Sequence, residues 1–462
     1  MENYPDYPVR KVLNLLALLQ TSVELYGTQA AFCRTQERIT YHQFERAVLC
    51  VAGSLIHDQG RFILIHAEDP FLFAAAYFAT VITGNIAVLI DMEHCPSGAV
   101  LPPIEYTLTD TDILKHLDIP PISYNSVPPQ NSETVCTIIY SSGTTSASKG
   151  IMLSQKNLCC NVMSGLEKYR FSCEDRLLQL IPYYHAFGLV CDLLAPLLSG
   201  SAICIPDSKA QALSQMASFR PTMMNVPPAV AEAFLTLARR TKNLDIFTGG
   251  QLRKLLCGGA GLRAETTKAL LQWNIKALGC YGVSECSPCI SVNRDNYYKA
   301  GSAGIPLNCN KVRIAEDGEI IIRGDNVMLG YYGDPELTAQ VIVDGEYHTG
   351  DLGYWDEDGF LYVSGRKNNI IVFEDGTKCL PEKLEEVILK HPGVQEVIVF
   401  ARKTSSGLRL CSLVYVPEIA RQEEIKKYIL SIPTYQPFFS IEFTQKPLPK
   451  TNTGKVKRNV WN

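Results

Sequence analysis

RFILIHAE (residues 61–68), DPFLFAAAYFATVITG (69–84) and NIAVLID (85–91) decide the fold class. A β-branched apolar run is followed by an acid–proline pair opening an apolar stretch too long for a strand, and then by a second short apolar run. That order reads as strand, helix, strand. His66, Glu68, Asp69 and Pro70 interrupt the window, so it lacks the roughly 18 uninterrupted apolar residues of a spanning helix and is expected to be buried in protein.

The same rhythm returns downstream. RLLQLIP (176–182), SAICIP (201–206), TMMNVPP (222–228), KLLCGG (254–259) and IKALGCYG (275–282) read as strands, separated by helical stretches such as AVAEAFLTLARR (229–240) and RAETTKALLQW (263–273). The expected class is α/β with two helix-covered, mostly parallel sheets. From about Ser291 the helices stop and alternating strands take over, with Asp317-Gly318 as a hairpin turn inside KVRIAEDGEIIIRGD (311–325), so a small β-barrel subdomain is expected there. After Gly365 the pattern reads as a compact α+β domain: FLYVSGRKNNIIVFEDG (360–376) as a hairpin, PEKLEEVILKHP (381–392) as a helix, then two strands, a helix and a basic tail. No long linker separates the parts, so a short joint near residue 366 is expected to act as a hinge.

The totals agree. A chain of 462 residues, 46% apolar and 19% charged, supports two or three buried cores rather than disorder. A net charge of -4 gives no whole-molecule case for a nucleic-acid or anionic-membrane surface. The sixteen cysteines are scattered through apolar stretches instead of framing a small loop-rich domain, which favours reduced thiols. MENYPDYPVRKVLNLLALLQ (1–20) lacks the basic-then-apolar order of a secretory signal, so the expected location is cytoplasmic.

Five segments concentrate chemistry. Tyr140-Ser-Ser-Gly-Thr-Thr-Ser-Ala-Ser-Lys-Gly150 completes a β-branched strand with hydroxyls, a glycine and a lysine, a composition able to cradle phosphate oxygens; a solvated loop has the same composition, and the common P-loop order is absent. Tyr281-Gly-Val-Ser-Glu285 places an aromatic ring and a carboxylate at a strand end, where ligands of parallel sheets sit: the ring can stack on a base and the acid can hold magnesium, though a capping carboxylate looks the same. Beside these five, Gly258-Gly259-Ala260 follows another strand and permits close backbone approach, though an ordinary tight turn looks the same. Tyr347-His-Thr-Gly-Asp351 and Ser364-Gly-Arg366 offer an acid and a guanidinium suited to sugar hydroxyls. Pro449-Lys-Thr-Asn-Thr-Gly-Lys455 is either a solvated cationic tail or a segment that delivers a lysine. Cys286-Ser-Pro-Cys289 lacks a second cysteine pair and is not read as a zinc or redox centre.

In this order the five segments resemble the adenylate-forming superfamily of acyl-CoA synthetases, peptide-synthetase adenylation domains and luciferases, over nearly the whole chain. The resemblance implies a large amino-terminal domain (1–365) that binds ATP and an acid, and a small mobile carboxy-terminal domain (366–462) carrying a catalytic lysine. GYYGDPELTAQVIVDGEYHTGDLG (330–353), GRKNNIIVFEDGTKCLPEKLEE (365–386) and IPYYHAFGLVCDLLAPLLSG (181–200) look most like fatty-acyl-CoA synthetases. Amino-acid-activating relatives usually carry an Asp just after an aromatic where this chain has Tyr184-His185-Ala186-Phe187, so amino acids are disfavoured.

The activity implied is attack of a carboxylate on the α-phosphorus of ATP, release of pyrophosphate, and transfer of the acyl group to the thiol of CoA or of a separate carrier protein's phosphopantetheine; a scaffold without turnover is disfavoured by the five charges kept together. Carried over residue by residue, the resemblance assigns Thr144, Thr145 and Lys149 to the ATP phosphates, Glu285 to Mg2+, Tyr281 to adenine, Asp351 and Arg366 to ribose, Ser141, Gly259, Ala260 and Gly282 to the ATP site, and Lys455 to the carboxylate and α-phosphate; His185 is either a gate or orienting group of the acid pocket or a packed histidine of its apolar surroundings. Ser146 and Ser148 replace the usual Gly and Pro of the phosphate loop, and Asn368 stands where relatives usually have an Asp or Lys hinge residue. The depth of the acid pocket depends on how Tyr183, Asn225 and Gly259 pack.

Overall fold

A computed structural model describes residues 4–92, 98–140, 148–208, 210–404, 407–434, 437–450 and 456–458. The strand–helix–strand unit forms as expected. Strands Phe62–His66 and Ile86–Leu89 pair in parallel, and between them runs the helix Pro70–Ile82, whose Asp69 cap accepts from the N–H groups of Phe71 and Leu72. Every residue from Phe71 through Ile82 is buried. A helix covered on all sides needs no polar face, which is why its sequence shows no 3.6-residue alternation.

This unit belongs to a six-stranded sheet in the order Gly330–Tyr331, Gly150–Ser154, Val135–Tyr140, Ile86–Leu89, Phe62–His66, Ile104–Thr109, parallel from Val135–Tyr140 onward and antiparallel at the other edge. The second sheet has nine strands: Ile305–Pro306, Cys289–Val292, Lys276–Gly282, Lys254–Cys257, Met223–Val226, Arg176–Leu178, Ala202–Cys204, Ala30–Cys33, Arg38–Thr40, with the six from Lys276–Gly282 to Ala30–Cys33 parallel. One apolar core joins the two sheets, drawing on Ile63, Ala87 and Ile139 from the first and Leu177, Leu256 and Leu278 from the second. A second core fills the other face of the nine-stranded sheet under helices Pro228–Thr241 and Ala264–Leu271.

The β-rich region is a five-stranded antiparallel half-barrel, entered through the Asp317-Gly318 turn with Gly318 at φ 88°. One helix, Pro335–Val341, interrupts the all-strand stretch that the sequence suggested. A second departure concerns residues 360–376, which do not form a hairpin with each other. Leu361–Arg366 pairs with Glu346–Trp355, whereas Ile371–Val372 pairs with Lys378–Cys379, because the single 3-10 turn Lys367–Asn369 carries the chain from one partner to the next. Beyond it, Glu396–Thr404, Gly407–Tyr415 and Phe438–Thr444 make a three-stranded sheet packed by helices Pro381–Ile388 and Gln422–Ser431 around a separate apolar core that includes Phe373, Ile388, Val399, Val414 and Ile425. The edge strand Phe438–Thr444 was missed in the sequence, where its serine, glutamate and threonine dilute the apolar alternation.

Candidate active site

Glu285 lies on the 3-10 turn Ser284–Cys286 that ends the strand Lys276–Gly282, and its main-chain carbonyl accepts the Met328 N–H at 2.8 Å. Its carboxylate Oε1 accepts the Tyr331 hydroxyl at 2.9 Å. Tyr331 reaches this point because Gly330–Tyr331 pairs with Gly150–Ser154 on the first sheet, opposite Ile151. Lys149, immediately before that strand, holds its ammonium 5.1 Å from the centre of the Tyr331 ring, a cation–π arrangement. Burial, reinforced by Glu285, raises the Tyr331 phenol, so it remains a donor. Lys149 from one sheet and Glu285 from the other thus meet on one tyrosine. Sequence reasoning missed Tyr331; its signal was the short apolar pair between Gly330 and the Asp334-Pro335 helix start.

Gly282 explains the path of the strand just before this turn. A bulge between Tyr281 and Gly282 brings the chain against its antiparallel neighbour, and a Cβ at Gly282 would lie 2.2 Å from the Pro288 carbonyl oxygen. Only glycine fits that approach. Tyr281, directly before it, donates its hydroxyl to Asp351 Oδ2 at 2.8 Å. Asp351 Oδ1 takes Arg366 Nε at 3.0 Å, because the two residues stand opposite each other in the antiparallel pair Glu346–Trp355 and Leu361–Arg366. The Asp351 side chain is 7% exposed and the Arg366 side chain 56%, so a fixed acid sits beneath a reachable guanidinium. Asp351 is the first cause of the raised Arg366 pKa, and burial pushes the Tyr281 phenol well up.

Gly259 and Ala260 are exposed at the end of the neighbouring strand Lys254–Cys257, Gly259 at φ 82° with open space around a Cβ. Gly258 is closed off by Phe187, whose ring carbon would stand 2.9 Å from a Cβ there. This brings the 183–192 segment over the same strand ends. His185 is half-buried, its ring tilted on Tyr184 at 4.8 Å between centroids. Asp192, on the π-helix Gly188–Leu194, is fully buried: Asn225 Nδ2 donates to it at 2.7 Å, and the N–H groups of Ile181 and Leu180 at 3.2 and 3.5 Å. Burial pushes its carboxyl up to about 7 against those hydrogen bonds. An acid was not anticipated in this segment, because Asp192 falls past the aromatic–histidine position that sequence reasoning inspected.

Ser141, Thr144, Thr145 and Lys455 lie outside the described residues, as does Ser146. Asn368 is exposed in the turn Lys367–Asn369, and the ion pairs at this joint belong to its neighbour: Lys367 Nζ contacts Asp317 at 2.6 Å and Glu319 at 3.0 Å. Among the described residues no group of three or more His, Cys, Asp or Glu side chains forms a metal cage. A lone carboxylate such as Glu285 suits a hard cation that brings most of its ligands with a phosphate. The Cys289 thiol lies 3.7 Å from that of Cys191.

Two family models match the chain: AMP-binding enzyme over residues 98–332 and AMP-binding enzyme C-terminal domain over 383–455. The chain is 31% identical to a feruloyl-CoA synthase of Amycolatopsis sp over 71% of its own length and 69% of the relative's, and 28% identical to a sulfoacetate–CoA ligase of Cupriavidus necator over 87% and 79%. Its fold matches the crystal structure of the anthranilate CoA ligase AuaEII in complex with anthranoyl-AMP with a TM-score of 0.84 at 20% identity, covering 98% of this chain and 97% of the other.

Proposed function

The chain belongs to the AMP-binding enzyme family and is an AMP-forming acid–thiol ligase, and from that premise we propose that it converts a fatty or other non-amino carboxylic acid to its acyl-adenylate and passes the acyl group to CoA. The observation carrying this reading is the convergence of two acid–tyrosine–cation clusters, Glu285–Tyr331–Lys149 and Asp351–Tyr281–Arg366, beside the end of the strand Lys276–Gly282. Ligands bind at such strand ends.

In the proposed reaction, a substrate carboxylate oxygen attacks the α-phosphorus of ATP and pyrophosphate leaves. A carboxylate is already nucleophilic, so the work falls to alignment and charge neutralisation. Lys149, with Ser141, Thr144 and Thr145, takes the phosphate oxygens. Tyr281 faces adenine while its hydroxyl keeps Asp351 oriented, and Asp351 with Arg366 holds the ribose. Gly259, Ala260 and Gly282 leave backbone room beside the base. Lys455 bridges the carboxylate and the α-phosphate, and His185 orients the acid. Mg2+, when bound with ATP, neutralises phosphate charge, and Glu285 is the residue to hold it. The portion after residue 365, with its own core, pivots at Asn368 between adenylation and thiol transfer.

Acid-dependent exchange of pyrophosphate into ATP, run over alkyl, aryl and amino acids, tests the substrate class. Exchange with alkyl or aryl acids and none with amino acids is expected; exchange confined to amino acids overturns the reading. Thioester formation with CoA is then expected to exceed that with a phosphopantetheinylated carrier protein, and the reverse result transfers the second step to the carrier.

A further inference from the structure

Away from the strand ends described above, one row of side chains combines a thiol pair with two cations. Cys33 ends the strand Ala30–Cys33. In register it faces Arg38 of the antiparallel strand Arg38–Thr40 on one side and Cys204 of the parallel strand Ala202–Cys204 on the other. Residues opposite each other across a sheet project from the same face, so Arg38, Cys33 and Cys204 form one cross-strand row. Leu178 continues the row beside Cys204, and Arg176, two residues earlier on that strand, shares the face. Cys33, Cys204, Arg38 and Arg176 all line a cleft of about 910 Å³. Cys33 is partly exposed to it and Cys204 is 1% exposed.

The geometry suits a bond between the sulfurs. Neighbouring strands stand about 4.8 Å apart, inside the Cα separation that a disulfide spans. The charges suit a reactive thiol. A hydrogen bond from the Cys204 thiol, then the Arg38 and Arg176 cations, lower the Cys33 pKa against the opposing effect of burial, and the same hydrogen bond raises Cys204. Glu37, Glu174 and Asp175 also line the cleft: Asp175 is engaged by Arg253 at 2.6 Å and by Thr222 at 2.7 Å and Glu37 by Arg34 at 3.6 Å, while the Arg176 guanidinium donates to the Arg220 carbonyl at 2.7 and 3.0 Å.

We propose that Cys33 and Cys204 are a peroxide-responsive thiol–disulfide pair, with Cys33 as the attacking sulfur and Cys204 as the resolving one. The Cys33 thiolate attacks one oxygen of hydrogen peroxide, the O–O bond breaks, and with one proton the products are a Cys33 sulfenic acid and water. The Cys204 sulfur then attacks Cys33, its proton and the sulfenic hydroxyl leave as a second water, and the S–S bond forms. The two thiols supply the two electrons that peroxide accepts. The product ties the strand next to the edge of the nine-stranded sheet to its inner neighbour.

The test is peptide mapping of the intact chain after brief treatment with hydrogen peroxide and a denaturing alkylation quench. Expected are a Cys33–Cys204 cross-linked peptide and a joint loss of at least several-fold in the alkylation of both residues, restored by dithiothreitol. In the Cys204→Ser variant, dimedone is expected to trap Cys33 as its sulfenic acid. Cys33 and Cys204 remaining alkylatable while the exposed Cys173 is oxidised, or Cys33 linking to Cys173 instead, overturns the proposal. The map of the unsubstituted chain decides it alone if the variant does not fold.

Discussion

Asp192 illustrates how one buried residue sets a pH dependence. Its folded-state pKa, about 7, lies above the usual carboxylate value of 3.8, so the native state holds this proton more tightly than the unfolded chain. Ionisation therefore costs stability, and the loss grows as pH rises from about 4 towards 7 and above, to an upper limit on the order of 4 kcal/mol. In Asp192→Asn that part of the pH slope is expected to vanish, whatever the variant's overall stability; denaturant midpoints from pH 4.5 to 8 that keep the original slope contradict the assignment. Asp351 makes a second prediction. Removing its charge-assisted contacts in Asp351→Ala is expected to cost about 2 to 3 kcal/mol of ATP-dependent transition-state binding, a drop in kcat/KM for ATP of roughly 30- to 150-fold, read in exchange kinetics. Tyr281 and Glu285 were legible as candidates because they follow an apolar run, and Asp351 and Arg366 because an acid and a guanidinium suit sugar hydroxyls. Tyr331 and Asp192 were not: the first joins the site through a two-residue strand on the other sheet, whose signal is only the short apolar pair after Gly330, and the second lies on a π-helix, which leaves no local signature.

At the level of elements, strand ends do the positioning, and Gly282 is the point where that can be broken. An alanine Cβ there would meet the Pro288 carbonyl at 2.2 Å, forcing the bulge open between Tyr281 and Glu285. Gly282→Ala is expected to lose about 1 to 3 kcal/mol of stability, seen as a lower thermal midpoint, together with at least a tenfold fall in exchange rate. A variant with unchanged exchange would show that the bulge does not orient its flanking residues. The elements themselves were mostly readable: the helix Pro70–Ile82 from its Asp-Pro start, the short parallel strands from their apolar runs, the Asp317-Gly318 turn from its dipeptide. Pairing partners were less so. Leu361–Arg366 joins the strand before it in sequence instead of the one after, a choice made by the turn Lys367–Asn369 and by the register that sets Arg366 opposite Asp351.

Across the whole molecule, two sheets share one core while the residues after 366 build another, and only the short turn bearing Lys367 and Asn368 continues the chain between them. The separate core was foreshadowed by the change of pattern after Gly365; the anchoring of the joint by Lys367 to Asp317 and Glu319 was not, because it depends on the half-barrel's turn lying alongside. If the carboxy-terminal portion supplies a lysine to the first step only, Lys455→Ala is expected to slow acyl-adenylate formation by on the order of 10² to 10³ while leaving thioester formation from supplied acyl-adenylate near its original rate. Equal losses in both steps, measured separately, would contradict that division. The chemistry as a whole is tested most directly by following oxygen: with an accepted acid labelled with 18O in both carboxylate oxygens, plus ATP and CoA, mass spectrometry of the products should find one 18O in AMP and none in pyrophosphate. Label in pyrophosphate or inorganic phosphate, or unlabelled AMP, would contradict attack at the α-phosphorus.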